Sequence, residues 1–161
     1  MNHLFLGHPE GEINFSALTH VDIEEATGEI INESQRKVKE IITLNKEERT
    51  RENTLDAYDE LHNQLEKIHS VIFLMAYVHP EQAIRDKSLQ SINELNRFVN
   101  QLNMNVELYS AMKSYEGTED ASQLEAPAQK LLKDTIRDLE HNGLGLPEEQ
   151  REEVRRIQDR I

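Results

Sequence analysis

Histidine and carboxylate side chains are the groups in this sequence best suited to binding a metal or moving a proton. The chain has 31 Asp and Glu residues, 7 His and no Cys, so a zinc site would need imidazole and carboxylate ligands. In the helical motif His-Glu-x-x-His, both imidazoles face the metal and the glutamate acts as general base. None of the histidines stands in that pattern: His3, His8, His20, His62, His69, His79 and His141.

The nearest approach to a metal-binding cluster is the trio His62, Glu66 and His69. Steps of four and three residues place these side chains on one stripe of a helix. Each directly follows an apolar position, so the stripe is rotated by about 100° from the face that packs into the core. We therefore expect a solvated or partner-facing stripe. A di-metal carboxylate bundle needs Glu-x-x-His on two facing helices, and Glu66–His69 supplies one.

The remaining candidate side chains have structural explanations. His79 precedes Pro80, which disfavours a helical conformation at the residue before it, so we expect His79 to help end a helix. Five aromatic residues lie near apolar stripes and are predicted to be core: Phe73, Tyr77, Phe98, Tyr109 and Tyr115. The sequence has no glycine-rich phosphate loop and no Gly-x-Ser-x-Gly motif. We accordingly predict no catalytic, cofactor-binding or metal-binding residue in this chain.

Composition favours a single all-α domain over residues 1–161. With 6 Gly, 4 Pro and 30% charged residues, the chain suits long helices better than a many-turned β architecture. A net charge of −13 argues against sequence-independent nucleic-acid binding. No apolar run approaches the roughly 20 residues that span a bilayer, and the N-terminus does not resemble a secretory signal. The absence of Cys is compatible with a reducing compartment, and we expect a cytoplasmic protein.

Apolar periodicity predicts two helices in the first half of the chain, after an irregular lead-in over residues 1–15. The first runs from Thr19 or Asp22 to about Leu44, and Gly28 weakens its middle by roughly 1 kcal/mol relative to alanine. Its apolar positions are Val21, Ile23, Ala26, Ile30, Val38, Ile41 and Ile42. After a charged connection, the second helix begins at Asn53 or Thr54 and ends before Pro80. Its apolar positions alternate in steps of three and four, as in helices that pack lengthwise: Tyr58, Leu61, Leu65, Ile68, Ile72 and Met75.

Three further helices are predicted in the second half. The third spans Glu81 to Tyr115, roughly 50 Å, and its apolar positions are Ile92, Leu95, Val99, Leu102, Val106 and Tyr109. The fourth occupies 123–141 and buries Leu131, Leu132, Ile136 and Leu139. Gly143 supplies the left-handed residue that ends it, and Pro147 begins a fifth helix that reaches Ile161 without a stop signal. The expected fold is an elongated antiparallel bundle of about five helices with one very long central helix.

Four segments together resemble a known family. A helix, then Asn142-Gly143-Leu144-Gly145-Leu146-Pro147, then a helix rich in Arg and Glu is similar to the end of the N-terminal helical region of the zinc oligopeptidases. That family includes thimet oligopeptidase, neurolysin and bacterial oligopeptidase A. Residues 13–18 resemble the Pro-Phe-Ser-type lead-in of its bacterial members, Glu52-Asn53-Thr54-Leu55 resembles the opening of their next helix, and 81–115 occupies the place of their long helix. The resemblance spans roughly 13–161.

This resemblance implies a non-catalytic role for the chain within a zinc-dependent metalloendopeptidase. In the family, two mainly helical halves flank a deep channel that admits short, unfolded peptides, and zinc lies on the other half. No active-site residue carries over, because this chain lacks the His-Glu-x-x-His motif. The implied role is a wall of the channel, with the zinc and the catalytic residues in a catalytic half absent from this chain. We expect the chain alone to be inactive and to self-associate through apolar surface that the missing half would cover.

The alternative is a stand-alone acidic helical bundle that acts as an adaptor or interaction module. Long apolar stripes without site chemistry fit that function equally well. The two hypotheses differ in the coding sequence beyond Ile161. A stop codon there favours the adaptor, and a further His-Glu-x-x-His segment favours the peptidase.

Overall fold

The computed structural model describes residues 15–147 and 149–151, and in those residues it is all-α, as predicted. The helices are α1 (His20–Thr43), α2 (Ala57–Val78), α3 (Gln82–Asn103), α4 (Val106–Glu116), α5 (Glu119–Ser122) and α6 (Ala126–Leu139). Single 3-10 turns occupy Phe15–Ala17 and Lys46–Glu48, and π-helical turns occupy Arg51–Asp56 and Glu140–Leu144. The first π turn runs directly into α2, so residues 51–78 form one continuous stretch of 28 helical residues. In the described part of the chain, every helix is too short or too polar to cross a membrane.

The helix starts that the sequence predicts correspond to real caps. At α1 the Thr19 and Asp22 side chains cap reciprocally: the Thr19 N–H donates to Asp22 Oδ2 (2.8 Å), and the Asp22 N–H donates to Thr19 Oγ1 (3.3 Å). The second helical stretch begins slightly earlier than predicted, because Thr50 accepts from the Asn53 N–H and caps the π turn. Gly143 has φ 105°, so the predicted left-handed residue lies where expected. The Pro147 carbonyl accepts from the N–H groups of Gln150 and Arg151, which starts the predicted fifth helix; residues 152–161 lie outside the described part.

The prediction of an unbroken helix from Glu81 to Tyr115 is wrong in one place. The stretch is interrupted at Met104 and Asn105, where Asn105 adopts an extended conformation (φ −80°, ψ 106°) and its side chain accepts from the Leu108 N–H at 2.9 Å. This cap ends α3 and starts α4 on a new register. Val106, a predicted core position, is consequently 43% exposed. The buried face of α4 is instead formed by Leu108, Ala111, Met112 and Tyr115.

Contacts divide the chain into two compact units, of which the first comprises Met1–Arg36 and Glu60–Phe98. Its described helices bury the side chains of Ile23, Ala26, Ile30, Leu61, Leu65, Ile68, Ile72, Met75, Ile84, Leu95 and Phe98. Lys87 Nζ on α3 lies 2.9 Å from the Glu24 carboxylate, so the start of α1 lies beside the first part of α3. The turn between α2 and α3 is held by Arg85, whose Nη1 donates to the carbonyls of His79 (2.7 Å) and Pro80 (2.8 Å).

The second unit comprises Lys37–Asp59 and Val99–Ile161. Its described core is formed by Ile41, Leu55, Leu102, Leu108, Met112, Tyr115, Leu132, Ile136, Leu139 and Leu144. Leu131, predicted to be buried, is half-buried because the buried face of α6 passes through Ala128, Leu132 and Thr135. Arg49, with 6% of its surface exposed, closes the end of α1: Nη1 donates to the Ile41 carbonyl (2.9 Å) and Nη2 to the Leu44 carbonyl (2.8 Å). Terminal carbonyls lack partners within their own helix, so this guanidinium replaces the missing donors.

Candidate functional site

The predicted histidine and glutamate stripe lies on the flank of α2. Glu66 is exposed, and His62 and His69 are half-buried. Each neighbour at the preceding position is buried, as the rotation of the stripe away from the core predicts (Leu61, Leu65 and Ile68). In residues 15–147 and 149–151, no three His, Cys, Asp or Glu side chains come close enough to share a metal ion. The described residues therefore do not fit a zinc site.

His79 has the helix-ending role that its position before Pro80 predicts. Its backbone N–H donates to the Met75 carbonyl (3.2 Å), and α2 ends at the preceding residue. The His79 side chain is 8% exposed, and Nδ1 accepts a hydrogen bond from the Glu81 N–H at 3.2 Å. The imidazole thus stabilises the turn between α2 and α3.

Two of the five aromatic side chains that the sequence predicts to be core are exposed, and both lie on α2. Phe98 and Tyr115 are buried as expected, and Tyr109 is half-buried. Phe73 and Tyr77, predicted to be core, are instead 49% and 65% exposed. The rings form a ladder along the helix surface: the His69 and Phe73 centroids are 6.1 Å apart, and those of Phe73 and Tyr77 are 4.8 Å apart. These distances are typical of favourable ring contacts.

Leu74 and Val78 extend this ladder into an exposed apolar face at the end of α2. They are 43% and 64% exposed. We call Phe73, Leu74, Tyr77 and Val78 the aromatic face. The opposite side of the same two turns is buried through Ile72, Met75 and Ala76. The last two turns of α2 are therefore apolar on both sides, a pattern typical of a helix with protein on both sides.

The aromatic face also lies in an uncharged part of an acidic chain. Residues 68–80 contain no Asp, Glu, Lys or Arg, although charged residues make up 30% of the whole sequence. A surface helix normally carries charged residues opposite its buried side. A contiguous exposed apolar surface usually marks a site of contact with another protein surface or a ligand. The aromatic face is the strongest candidate for a functional surface in the described residues.

Asp120 forms a separate polar centre within the second unit. Its Oδ1 accepts from the backbone N–H of Arg51 (2.8 Å) and from the hydroxyl of Tyr115 (2.7 Å). These bonds tie the π turn at 51–56 to α4 and α5. Burial and the hydrogen bond to Asp120 raise the pKa of Tyr115. Since each group here fills a structural role, we assign this centre to stability.

The sequence of α2 carries a signal for the aromatic face in addition to its buried stripe. The steps of three and four residues mark the buried stripe, which includes Ile72 and Met75. Further apolar residues stand next to and between these positions, off the buried stripe: Val71, Phe73, Leu74, Tyr77 and Val78. A second apolar stripe on one helix predicts a second contact surface.

Comparison with known proteins gives the chain's family. The model of the neurolysin/thimet oligopeptidase N-terminal domain matches residues 28–151. A thimet-like oligopeptidase of Dictyostelium discoideum is 28% identical over 136 residues, which cover 83% of this chain and 20% of that relative. The mitochondrial intermediate peptidase of Rattus norvegicus is 29% identical over 99 residues, which cover 61% of this chain and 14% of that relative. The chain thus spans about a fifth or less of the curated relatives it matches. The family model covers well over half of this chain, in agreement with the resemblance seen in the sequence, and the chain belongs to the neurolysin/thimet oligopeptidase N-terminal domain family.

Proposed function

We propose that this chain is the non-catalytic N-terminal part of a zinc-dependent oligopeptidase that cleaves short, unfolded peptides. The observation that carries the proposal is the family match over residues 28–151. The two relatives described above bear the names of peptidases, and the matched segments are only 20% and 14% of their lengths. In this proposal the zinc and the catalytic residues lie in a part of the polypeptide outside this sequence.

The role of the chain in this enzyme is mechanical: it forms a wall of the substrate channel. A wall that selects peptides by size must keep its shape. Continuous helices with buried faces, such as residues 51–78, supply that stiffness. Buried hydrogen bonds at the helix ends, such as those of Arg49, add to it. Peptides enter the channel, and folded proteins are excluded by their width.

The test compares two proteins: the 161-residue chain and the complete product of its native gene. Both are assayed with an internally quenched short peptide, with and without a zinc chelator. We expect chelator-sensitive cleavage by the complete gene product and no cleavage by the 161-residue chain. Chelator-sensitive cleavage by the 161-residue chain alone would refute the non-catalytic role, and an inactive complete product would refute the peptidase assignment.

The aromatic face favours a second candidate function, that of a protein-interaction module. Its exposed side chains and lack of charge suit a contact with another protein. A native gene product that ends at Ile161 and is inactive on peptides would support this candidate over the peptidase. For either function we propose a cytoplasmic location, which imaging of the tagged native protein would test.

A further inference from the structure

We infer that the aromatic face is a permanent interface, covered by an uncharged apolar surface of the remaining part of the same polypeptide. This inference rests on the proposed function. The aromatic face would join the helical part to the rest of the polypeptide, and it would be distinct from any surface that peptides touch.

The first support is the distribution of apolar surface. Most of the large apolar side chains that are exposed in residues 15–147 and 149–151 belong to the first unit. These are Phe15, Val21, Phe73, Leu74, Tyr77, Val78 and Leu89; the second unit exposes Val106 and Leu146. Single exposed apolar residues are normal, whereas four on adjacent positions of one helix are not.

The second support is the chemistry of the face. Two rings and two aliphatic side chains gain by leaving water, and residues 68–80 offer no charged group to a polar partner. If substrate peptides covered this face, its side chains would be exposed to water whenever no peptide is bound. A partner within the same polypeptide covers them continuously, because its local concentration is high and fixed.

The third support is the amount of chain available to form the partner surface. The matched segments are 20% and 14% of the relatives' lengths, so in those proteins most of the polypeptide lies outside this part. Protein interfaces commonly have an apolar core surrounded by a polar rim. Ser70 and Glu81 are exposed near the two ends of the face and provide polar positions at its border.

The test measures solvent access to Phe73 and Tyr77 by hydroxyl-radical oxidation and mass spectrometry. The 161-residue chain and the complete native gene product are compared, both without peptide. We expect several-fold slower oxidation of both rings in the complete product. Val106, similarly exposed but isolated in the second unit, is the matched control and should be oxidised at similar rates in both proteins.

Each alternative occupant of the face gives its own result, and each would overturn the inference. Equal oxidation of the two rings in both proteins would show that the face is uncovered. Protection that appears only after a peptide inhibitor is added would assign the face to substrate. Protection in the complete product that appears only as its concentration is raised would assign the face to a second copy. Peptidase activity is measured separately from oxidation. Protected rings in an inactive complete product would refute the peptidase assignment alone, and unprotected rings in an active product would refute the interface alone.

Paired variants give an independent check. The double substitution Phe73→Ser and Tyr77→Ser should lower the urea midpoint of the 161-residue chain only slightly, because the rings are about half-exposed or more and lose mainly their contacts along the helix surface. In the complete product the same substitutions should lower the thermal midpoint, and Val106→Ser should lower it in neither protein. An unchanged midpoint of the doubly substituted complete product would contradict the inference.

Discussion

Arg49 offers the sharpest test of how the described helices are held. Its guanidinium is buried, and its two terminal nitrogens donate to the carbonyls of Ile41 and Leu44 at the end of α1. Replacement by methionine keeps much of the buried volume and removes both donors. We expect Arg49→Met to leave the carbonyls of Ile41 and Leu44 without the hydrogen bonds that the guanidinium donates.

The magnitude follows from the number and kind of bonds lost. Hydrogen bonds from a charged donor contribute about 1.5–3 kcal/mol each. Part of that gain is offset because the buried guanidinium is itself costly: burial lowers the pKa of Arg49, and its Nε finds no partner among the described residues. The net loss of unfolding free energy should be about 3 kcal/mol. Arg49→Lys should recover only part of it, because an ammonium group does not reproduce the fork that reaches both carbonyls.

The assay is urea unfolding followed by circular dichroism at the helical band, with Arg36→Met as the matched control. Arg36 has a side chain that is 65% exposed, so its replacement should change the unfolding free energy by less than about 0.5 kcal/mol. The reasoning would be refuted if Arg49→Met destabilised the chain no more than Arg36→Met.

Three further substitutions test other local explanations. Gly28→Ala should stabilise the chain by about 1 kcal/mol in urea unfolding, because Gly28 is exposed in the middle of α1 and a Cβ there meets no atom within 4 Å; a loss of stability would contradict this. Burial, with a smaller effect from the charge of Asp138, raises the pKa of Tyr58 to about 12. The folded state therefore keeps a proton that the unfolded state loses above about pH 10, and stability should fall by up to about 1.4 kcal/mol per pH unit between pH 10 and 12. Tyr58→Phe should reduce this loss, and identical alkaline profiles would refute it. Asp120→Ala should lower the free energy of unfolding by about 2 kcal/mol, because it leaves the buried Tyr115 hydroxyl unpaired. Asp120→Asn keeps an acceptor and should lower it less. Equal losses in the two variants would exclude the hydrogen bonds as the cause.

The sequence predicts the helices of this chain well where a local rule decides the structure. The apolar stripe of the second helix, from Tyr58 to Met75, is buried at every predicted position. Gly143 and Pro147 mark the ends of neighbouring helices as predicted. The helix ends depend on the backbone conformation of single residues, and the buried stripe depends on the spacing of apolar residues along a helix. Both can be read from a short stretch of sequence.

Two features could not be read from periodicity, for different physical reasons. Periodicity does not predict the break at Asn105, because the apolar steps continue across it and the cap that starts α4 depends on one side-chain hydrogen bond. Periodicity does not predict the exposure of Phe73 and Tyr77, because an aromatic residue type indicates a preference for burial and does not specify which surface buries it. A second apolar stripe predicts a contact, and which surface supplies it depends on tertiary structure.

The most direct test of the channel-wall account is substrate size. One cleavable sequence is presented to the complete native gene product in two forms: as a short peptide and as an exposed loop of a stable folded domain. The account predicts efficient cleavage of the short peptide and no cleavage of the folded domain under the same conditions. Comparable cleavage of the short peptide and the folded domain would contradict it.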